Sequence, residues 1–398
     1  MATFSVRFLG CKVSQTDAQQ VRERLLADGH SEAEEGADVA VVNACCVTHE
    51  AVSKSRQAVS RAARSHGRVY VTGCGANLAG AFAGAAPNVR VVDRRSEDTP
   101  AFVAGDVGPI GCVQADARLD RIRAFVKVQD GCSFSCGFCV VPLVRGASRS
   151  RRAAAVLTEV RRRVAQGHRE VVLTGINLGC YRDREAGFRL ADLVREAGAV
   201  PGLSRLRLSS IEVNHVDGEL VGALRETPTV GRHLHVPLQS GDDPVLRAMG
   251  RRYSAATYVR RVQPLADFNV TTDVIVGFPG EDAAAFERTL ELVEEAGITK
   301  VHVFPYSPRP GTKTAEDDSV PSAVKKERGA RLRAASDDAC HRRWRKKLGA
   351  VDTVLVDRPG RGYGDDYSPW LVPPETRVGA FVRARARDVT DEGIVGVV

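Results

Sequence analysis

One pattern limits what this chain can fold into: short apolar runs closed by turns, alternating with helix-period segments. Three such runs, 4-FSVRFL-9, 38-DVAVVN-43 and 68-RVYVTG-73, lie near the N-terminus, with helical periodicity at about 15–28 and 49–65. Gly29 stands where a helix should stop. Strand–helix–strand alternation of this kind predicts a parallel sheet covered by helices. The stretch from about 80 to 120, rich in Ala, Gly, Pro and Asp, reads as a domain junction. A second series follows: 124-AFVKVQ-129, 170-EVVLTG-175, 205-RLRLSS-210, 233-HLHVPL-238, 271-TTDVIVG-277 and 300-KVHVFPY-306. Helical segments at 153–166, 216–225, 255–266 and 283–296 lie between them. Six such units suggest a partial, open (β/α)6 barrel, with a doubly wound sheet as the competing topology. Beyond a basic helix at about 322–347, the runs 352-DTVLVD-357, 380-AFVRARARDV-389 and 393-GIVGVV-398 predict a small all-β barrel. The expected fold class is therefore α/β with an all-β C-terminal barrel.

No run of apolar residues is long enough for a transmembrane helix, so no membrane association is expected. The opening MATFSVRFLG has no secretory pattern, and a cytoplasmic location follows as the expectation. Thiols stay reduced there, so ten cysteines read as metal ligands rather than a disulfide framework. The net charge is +8, with arginine concentrated in 149-RSRR-152, 160-VRRRV-164 and 341-HRRWRKK-347. That balance suits a polyanion such as RNA, with a solvated arginine-rich surface as the plainer reading.

The cysteines are placed with regularity. Cys11, Cys45 and Cys74 each follow the end of a predicted N-terminal strand by one or two residues. Carboxyl ends of parallel strands share one edge of a sheet, where ligands bind, so the three should meet in space. The alternative is three small buried residues. Cys132, Cys136 and Cys139, in 132-CSFSCGFC-139, follow the first barrel strand at the end where barrel enzymes keep their chemistry. Structural zinc wants four ligands, and neither set shows an obvious fourth. Three thiolates in a short loop suit a [4Fe-4S] cluster, usually held by four cysteines. With three, one iron lacks a protein ligand and can bind a substrate. Phe138 could lie over a bound adenine or simply pack in the core.

These motifs resemble the radical S-adenosylmethionine (SAM) enzymes and, more narrowly, the methylthiotransferases. The matching stretches include 9-LGCKVSQTD-17, 41-VVNACCVT-48, 54-KSRQ-57, 72-TGCGA-76, 127-KVQDGCSFSCGFCVVPLVRGASRSR-151, 171-VVLTGIN-177, 206-LRLSSIE-212, 235-HVPLQSG-241, 271-TTDVIVGFPGE-281 and 303-VFPYSPRPGT-312. LGCKV, KSRQ, LTGIN and RLSSIE look most like the branch acting on N6-threonylcarbamoyladenosine in tRNA. The resemblance implies an N-terminal methylthiotransferase domain over 1–112 with an auxiliary iron–sulfur cluster, a radical-SAM core over 118–347 and a TRAM-like domain over 348–398.

It further implies two [4Fe-4S] clusters, one on Cys132, Cys136 and Cys139 that binds SAM and one on Cys11, Cys45 and Cys74. Reductive cleavage of SAM would give a 5′-deoxyadenosyl radical, which takes hydrogen from carbon 2 of an adenosine beside the anticodon. Sulfur delivered at the second cluster and methylated by another SAM would end on that carbon. A reductant such as flavodoxin or ferredoxin, a sulfur donor, the tRNA anticodon loop and a monomeric state complete the expectation.

Gly175, Gln239, Asp273, Ile275 and Gly277, with Phe138, are the candidates for SAM contact, the first three lying at barrel strand ends. Arg145, Arg149 and Arg151 follow the cysteine loop and are the candidates for RNA phosphate contact. An unpaired anticodon-loop base is cheap to extrude. His233, His235 and His302 read as core or site-wall histidines. The chain departs from the family pattern at Ser14 and Cys46, with Cys45 the better ligand of the adjacent pair, and its tail is short for a TRAM domain. Cys112, Cys180 and Cys340 match no motif and read as inert. Rival readings are a methylthiotransferase acting on isopentenyladenosine or on a ribosomal-protein aspartate, and a non-catalytic iron–sulfur or zinc protein.

Overall fold

The structure, a computed structural model, describes residues 2–93, 98–108 and 122–398. Cys112 and the expected 112/118 domain boundary lie outside the described residues. The N-terminal elements are β1 (Thr3–Phe8), α1 (Lys12–Ala27), β2 (Ser31–Glu32), β3 (Val39–Asn43), α2 (His49–Ser65), β4 (Arg68–Thr72), α3 (Gly73–Ala76), β5 (Val89–Val91) and α4 (Thr99–Val107). The strands form one parallel sheet in the order β2-β1-β3-β4-β5. Strand β3 shows why. Its residues are apolar on both faces, so it must be covered twice. Val39 and Val41 pack with Leu25 of α1 and Val103 of α4, whereas Ala40 and Val42 pack with Ala58 and Val59 of α2.

The segment read as a junction is not one throughout. It supplies the edge strand β5 and helix α4, which Asp98 caps by accepting a hydrogen bond from Ala101 N–H. Val92, Val103 and Ala104 from this segment sit in the N-terminal core. Its small residues hide a short helix because Ala and Gly weaken the apolar periodicity.

The central elements are β6 (Arg123–Lys127), β7 (Gln129–Asp130), α5 (Val141–Arg145), β8 (Arg149–Ser150), α6 (Ala153–Ala165), β9 (Glu170–Thr174), β10 (Arg182–Asp183), β11 (Phe188–Arg189), α7 (Leu190–Gly198) and β12 (Arg205–Leu208). They continue with α8 (Gly218–Glu226), β13 (His233–His235), α9 (Asp243–Ala248), α10 (Ala255–Val262), β14 (Asn269–Val276), α11 (Ala283–Glu295), β15 (Lys300–Pro305) and α12 (Ser322–Arg345). Two three-stranded parallel sheets, β12-β9-β6 and β13-β14-β15, face one core. A parallel bridge from Leu206 to Val230, and Ile211 N–H donating to His235 O at 2.9 Å, join them into a six-stranded open barrel.

The C-terminal elements are β16 (Val351–Arg358), β17 (Arg361–Tyr363), β18 (Pro369–Leu371), β19 (Phe381–Thr390) and β20 (Gly393–Val397), which close as a barrel. Its core holds Val354, Trp370 and Ile394, with Trp344 of α12 packed against it. This barrel docks on the starts of the central strands. Arg205 donates to Thr353 O at 2.6 Å, Arg207 to Gly364 O at 2.7 Å, and Asn269 to Asp366 O at 2.7 Å. Among the described residues no helix is long and apolar enough to cross a membrane.

Candidate active site

The first three cysteines meet as the strand order demands. Cys11 precedes α1, Cys45 follows β3 and Cys74 lies in α3 directly after β4. Glycines allow the three loops to touch. A Cβ at Gly10, where φ is 122°, would stand 3.3 Å from Cys45 Sγ. One at Gly73, where φ is 81°, would stand 2.5 Å from Asn43 Oδ1 and 2.9 Å from Ala44 O. Only glycine accepts both the conformation and the approach. Ser55 fixes the Cys45 backbone, accepting from its N–H at 3.0 Å and donating to its carbonyl at 3.1 Å. Burial pushes the Cys45 thiol up and the Cys74 thiol up to about 11, and Cys11 reinforces both. Such thiols become ligands when a metal's charge offsets the cost of the thiolate.

The second set lies in the loop after β7. Gly131, with φ of 68°, begins it; a Cβ there would come within 2.1 Å of Ala147 O. Cys132 N–H donates to Gly146 O at 3.0 Å, Phe134 N–H donates to Cys132 Sγ at 3.4 Å, and Arg251 donates to Cys136 Sγ at 3.4 Å. Burial pushes the Cys139 thiol up to about 12, with Cys136 and Cys132 adding to it. Among the described residues no three His, Cys, Asp or Glu side chains are placed to share a single metal ion. Cys46 is buried beside Cys74, next to the first set. Two sets of three thiols, each at a strand carboxyl end, suit iron–sulfur clusters better than a closed tetrahedral zinc site.

The residues expected to touch SAM divide into groups. Phe138 lies edge-on to Phe278 at 6.3 Å and packs with Ile275, Val245, Met249 and Tyr306. Gln239 lies beyond β13 in an isolated parallel bridge to Val274, with φ of 71°, its N–H bound to Asp273 O at 2.8 Å and its carbonyl to Ile275 N–H at 2.9 Å. A non-glycine residue in that conformation costs about 1 kcal/mol or more, and such strain clusters at functional sites. Gly175 donates its N–H to Ser209 Oγ at 3.3 Å, and a Cβ there would crowd Gln129 Oε1 at 2.9 Å. Gly277 is explained by α12, since a Cβ would stand 2.3 Å from Lys325 Cγ.

Arg145 is not part of a basic rim. Its side chain is fully buried, with Nε 2.8 Å from Cys74 Sγ and the other nitrogens 3.0 Å from Asp17 and Asp130. It therefore bolts the N-terminal sheet to the core beside a cysteine, out of reach of RNA. Arg151 is turned inward to Lys127 O at 2.7 Å and Glu159 at 2.6 Å. Arg149 remains exposed, 3.6 Å from Asp130. Cys180 hydrogen-bonds His215 at 3.3 Å and Cys340 donates to Thr299 O at 2.9 Å.

A cavity of about 990 Å³ runs from Cys11 into the barrel interior. Lys12, Gly175, Asp273 and His302 line it, and Tyr363 and Tyr367 of the C-terminal barrel close one side. His235 and Asp273 pair at 3.1 Å within it. Burial lowers the pKa of His233 and His302. Burial also lowers that of Lys12, with Arg207 and Arg123 adding to the effect. The sequence reading passed over Lys12 and the two tyrosines. Lys12 stood within LGCKV but carried no role of its own beside Cys11, and the tyrosines lie in a segment too short and polar to predict as strands.

Comparison with known proteins accords with this geometry. The Radical SAM superfamily profile matches residues 126–293, and that of Uncharacterized protein family UPF0004 matches residues 3–92. Threonylcarbamoyladenosine tRNA methylthiotransferase MtaB of Thermotoga maritima is 35% identical over 420 residues, covering 99% of this chain and 96% of the relative. The Bacillus subtilis protein of the same name is 36% identical over 364 residues, covering 85% and 81%. Among solved structures, the radical SAM methyltransferase TsrM from Kitasatospora setae superposes with a TM-score of 0.56 at 15% identity, over 79% of this chain and 75% of that one. That likeness shows the shared fold. Kinship with the MtaB proteins extends over nearly the full length of both chains, and this protein belongs to the MtaB methylthiotransferase family.

Proposed function

We propose that this protein transfers a methylthio group to carbon 2 of N6-threonylcarbamoyladenosine beside the anticodon of tRNA. The observation that carries the reading is the full-length kinship to relatives bearing that activity in their names, joined to two separate three-cysteine loops at strand carboxyl ends. Cys132, Cys136 and Cys139 would hold the SAM-binding cluster and Cys11, Cys45 and Cys74 the second. When bound, these clusters and SAM supply the radical, the sulfur and the methyl group.

The chain's own residues position and shield. Arg251 donates to Cys136 Sγ and orients it, and Arg145 donates to Cys74 Sγ and favours the thiolate that ligand must become. Phe138 and Ile275 form an apolar wall for adenine, and Gly175, Gln239 and Asp273 offer polar edges to SAM. Arg149, exposed beside the Cys132 loop, suits a phosphate contact. The working units are residues 1–112, 118–347 and 348–398. The partners are tRNA, a reductant such as flavodoxin or ferredoxin and a sulfur donor, and the enzyme works as a monomer in the cytoplasm.

Nucleoside mass spectrometry on tRNA from a strain lacking the protein tests this reading. Loss of the methylthio nucleoside with accumulation of its threonylcarbamoyl precursor supports it. An unchanged nucleoside pool, or loss of the isopentenyl form instead, rejects it.

A further inference from the structure

We propose that Lys12 receives the carboxylate of the threonyl arm on the target adenosine and so sets which N6-substituent the enzyme accepts. This rests on the function proposed above. Lys12 follows Cys11 directly, and both line the same cavity. The other cations lining that cavity already have partners. Lys300 pairs with Asp337 at 2.8 Å, Arg343 with Asp366 at 2.9 Å, and His235 faces Asp273 at 3.1 Å. Among the described residues, the Lys12 amine has no hydrogen-bond or ion-pair partner.

Lys12 is half-buried, and a partly desolvated amine without a partner carries a cost that a matching ligand removes. Threonylcarbamoyladenosine brings a carboxylate on a short arm. An isoprenoid arm brings none, and would leave the amine unmatched against hydrocarbon. Sites that pair a buried polar group with the substrate reject analogues lacking the mate far more strongly than apolar pockets reject a change of size. The position fits this use. Because the amine sits one residue from a cysteine of the second set, an arm anchored there keeps its adenine near that set. The cavity is also roomy enough for a nucleoside, being within the range that holds drug-sized ligands.

The test is binding of the cluster-loaded enzyme to three anticodon stem-loop RNAs, read by fluorescence anisotropy. One carries threonylcarbamoyladenosine, one its neutral primary amide, and one isopentenyladenosine. Wild type should bind the acid form about tenfold or more tighter than the amide. Lys12→Met should bring that ratio to about one while changing amide affinity little, and Lys12→Arg should retain a preference for the acid. Lys12→Gln serves as the second neutral variant should methionine disturb the Cys11 loop.

A ratio that survives in both neutral variants overturns the proposal. So does an equal loss on all three RNAs, which would mark a backbone phosphate contact. A weakened affinity for SAM with the acid-to-amide ratio intact also overturns it and assigns the amine to the cofactor's carboxylate. A wild-type enzyme that methylthiolates only the isopentenyl RNA overturns the parent function, and Lys12's role with it.

Discussion

Arginine 145 shows how one residue can carry more structure than its sequence context suggests. Following the cysteine loop and flanked by other basic residues, it looks like surface charge. Burial against Asp17, Asp130 and Cys74 makes it a three-way tie instead. Replacing it with methionine leaves Lys127 as the cation shared by Asp17 and Asp130, and we expect a loss of about 2 kcal/mol, read by urea unfolding. Arg149→Ala, on the exposed neighbour, should leave stability unchanged and weaken RNA binding with a smaller salt dependence. Cys136→Ala is expected to lose roughly half the iron per chain while the second set keeps its share, read by iron assay.

At the scale of elements, the strands were the legible part. Runs of Val, Leu and Phe are apolar on both faces, and a parallel sheet buried on both sides has few other ways to be written. The cysteines' shared edge followed from that topology alone. What escaped was short or masked by small residues. The strands 361-RGY-363 and 369-PWL-371 gain their register from barrel closure rather than from propensity. Helix α4 lacks a clear apolar stripe. Side-chain direction escaped as well, since nothing local distinguishes the buried Arg145 from the exposed Arg149.

The loop elements make their own prediction. Gly131→Ala places a Cβ against the Ala147 carbonyl in a left-handed conformation, so the loop holding Cys132 must shift. We expect the variant to load less iron at the Cys132 set and to cleave SAM poorly, with its secondary structure by circular dichroism unchanged.

For the whole molecule, the joints between units matter most, and one of them is sensitive to acid. Burial alone would raise the Asp366 carboxyl, but Lys347 and Arg343 outweigh it and hold the group down to about 2. A carboxyl lowered on folding contributes stability above its unfolded pKa, near 4, and loses it as pH falls towards 2. The contribution is about 2 kcal/mol at neutral pH. Asp366 lies in the C-terminal barrel and Arg343 on α12, so acid should loosen this joint. Unfolding midpoints between pH 5 and 2 should fall less steeply for Asp366→Asn than for wild type.

The cavity beside Cys11 has walls from the start of α1, the central strands and the C-terminal barrel. No unit therefore owns the pocket, and none can be exchanged for a relative's without remaking the other two walls. A chimera joining this N-terminal unit to a relative's central barrel would keep Cys11, Cys45 and Cys74 and still lack two of the cavity's three walls. Substrate choice in such a protein is a property of the assembly, and inheritance must pass it on whole.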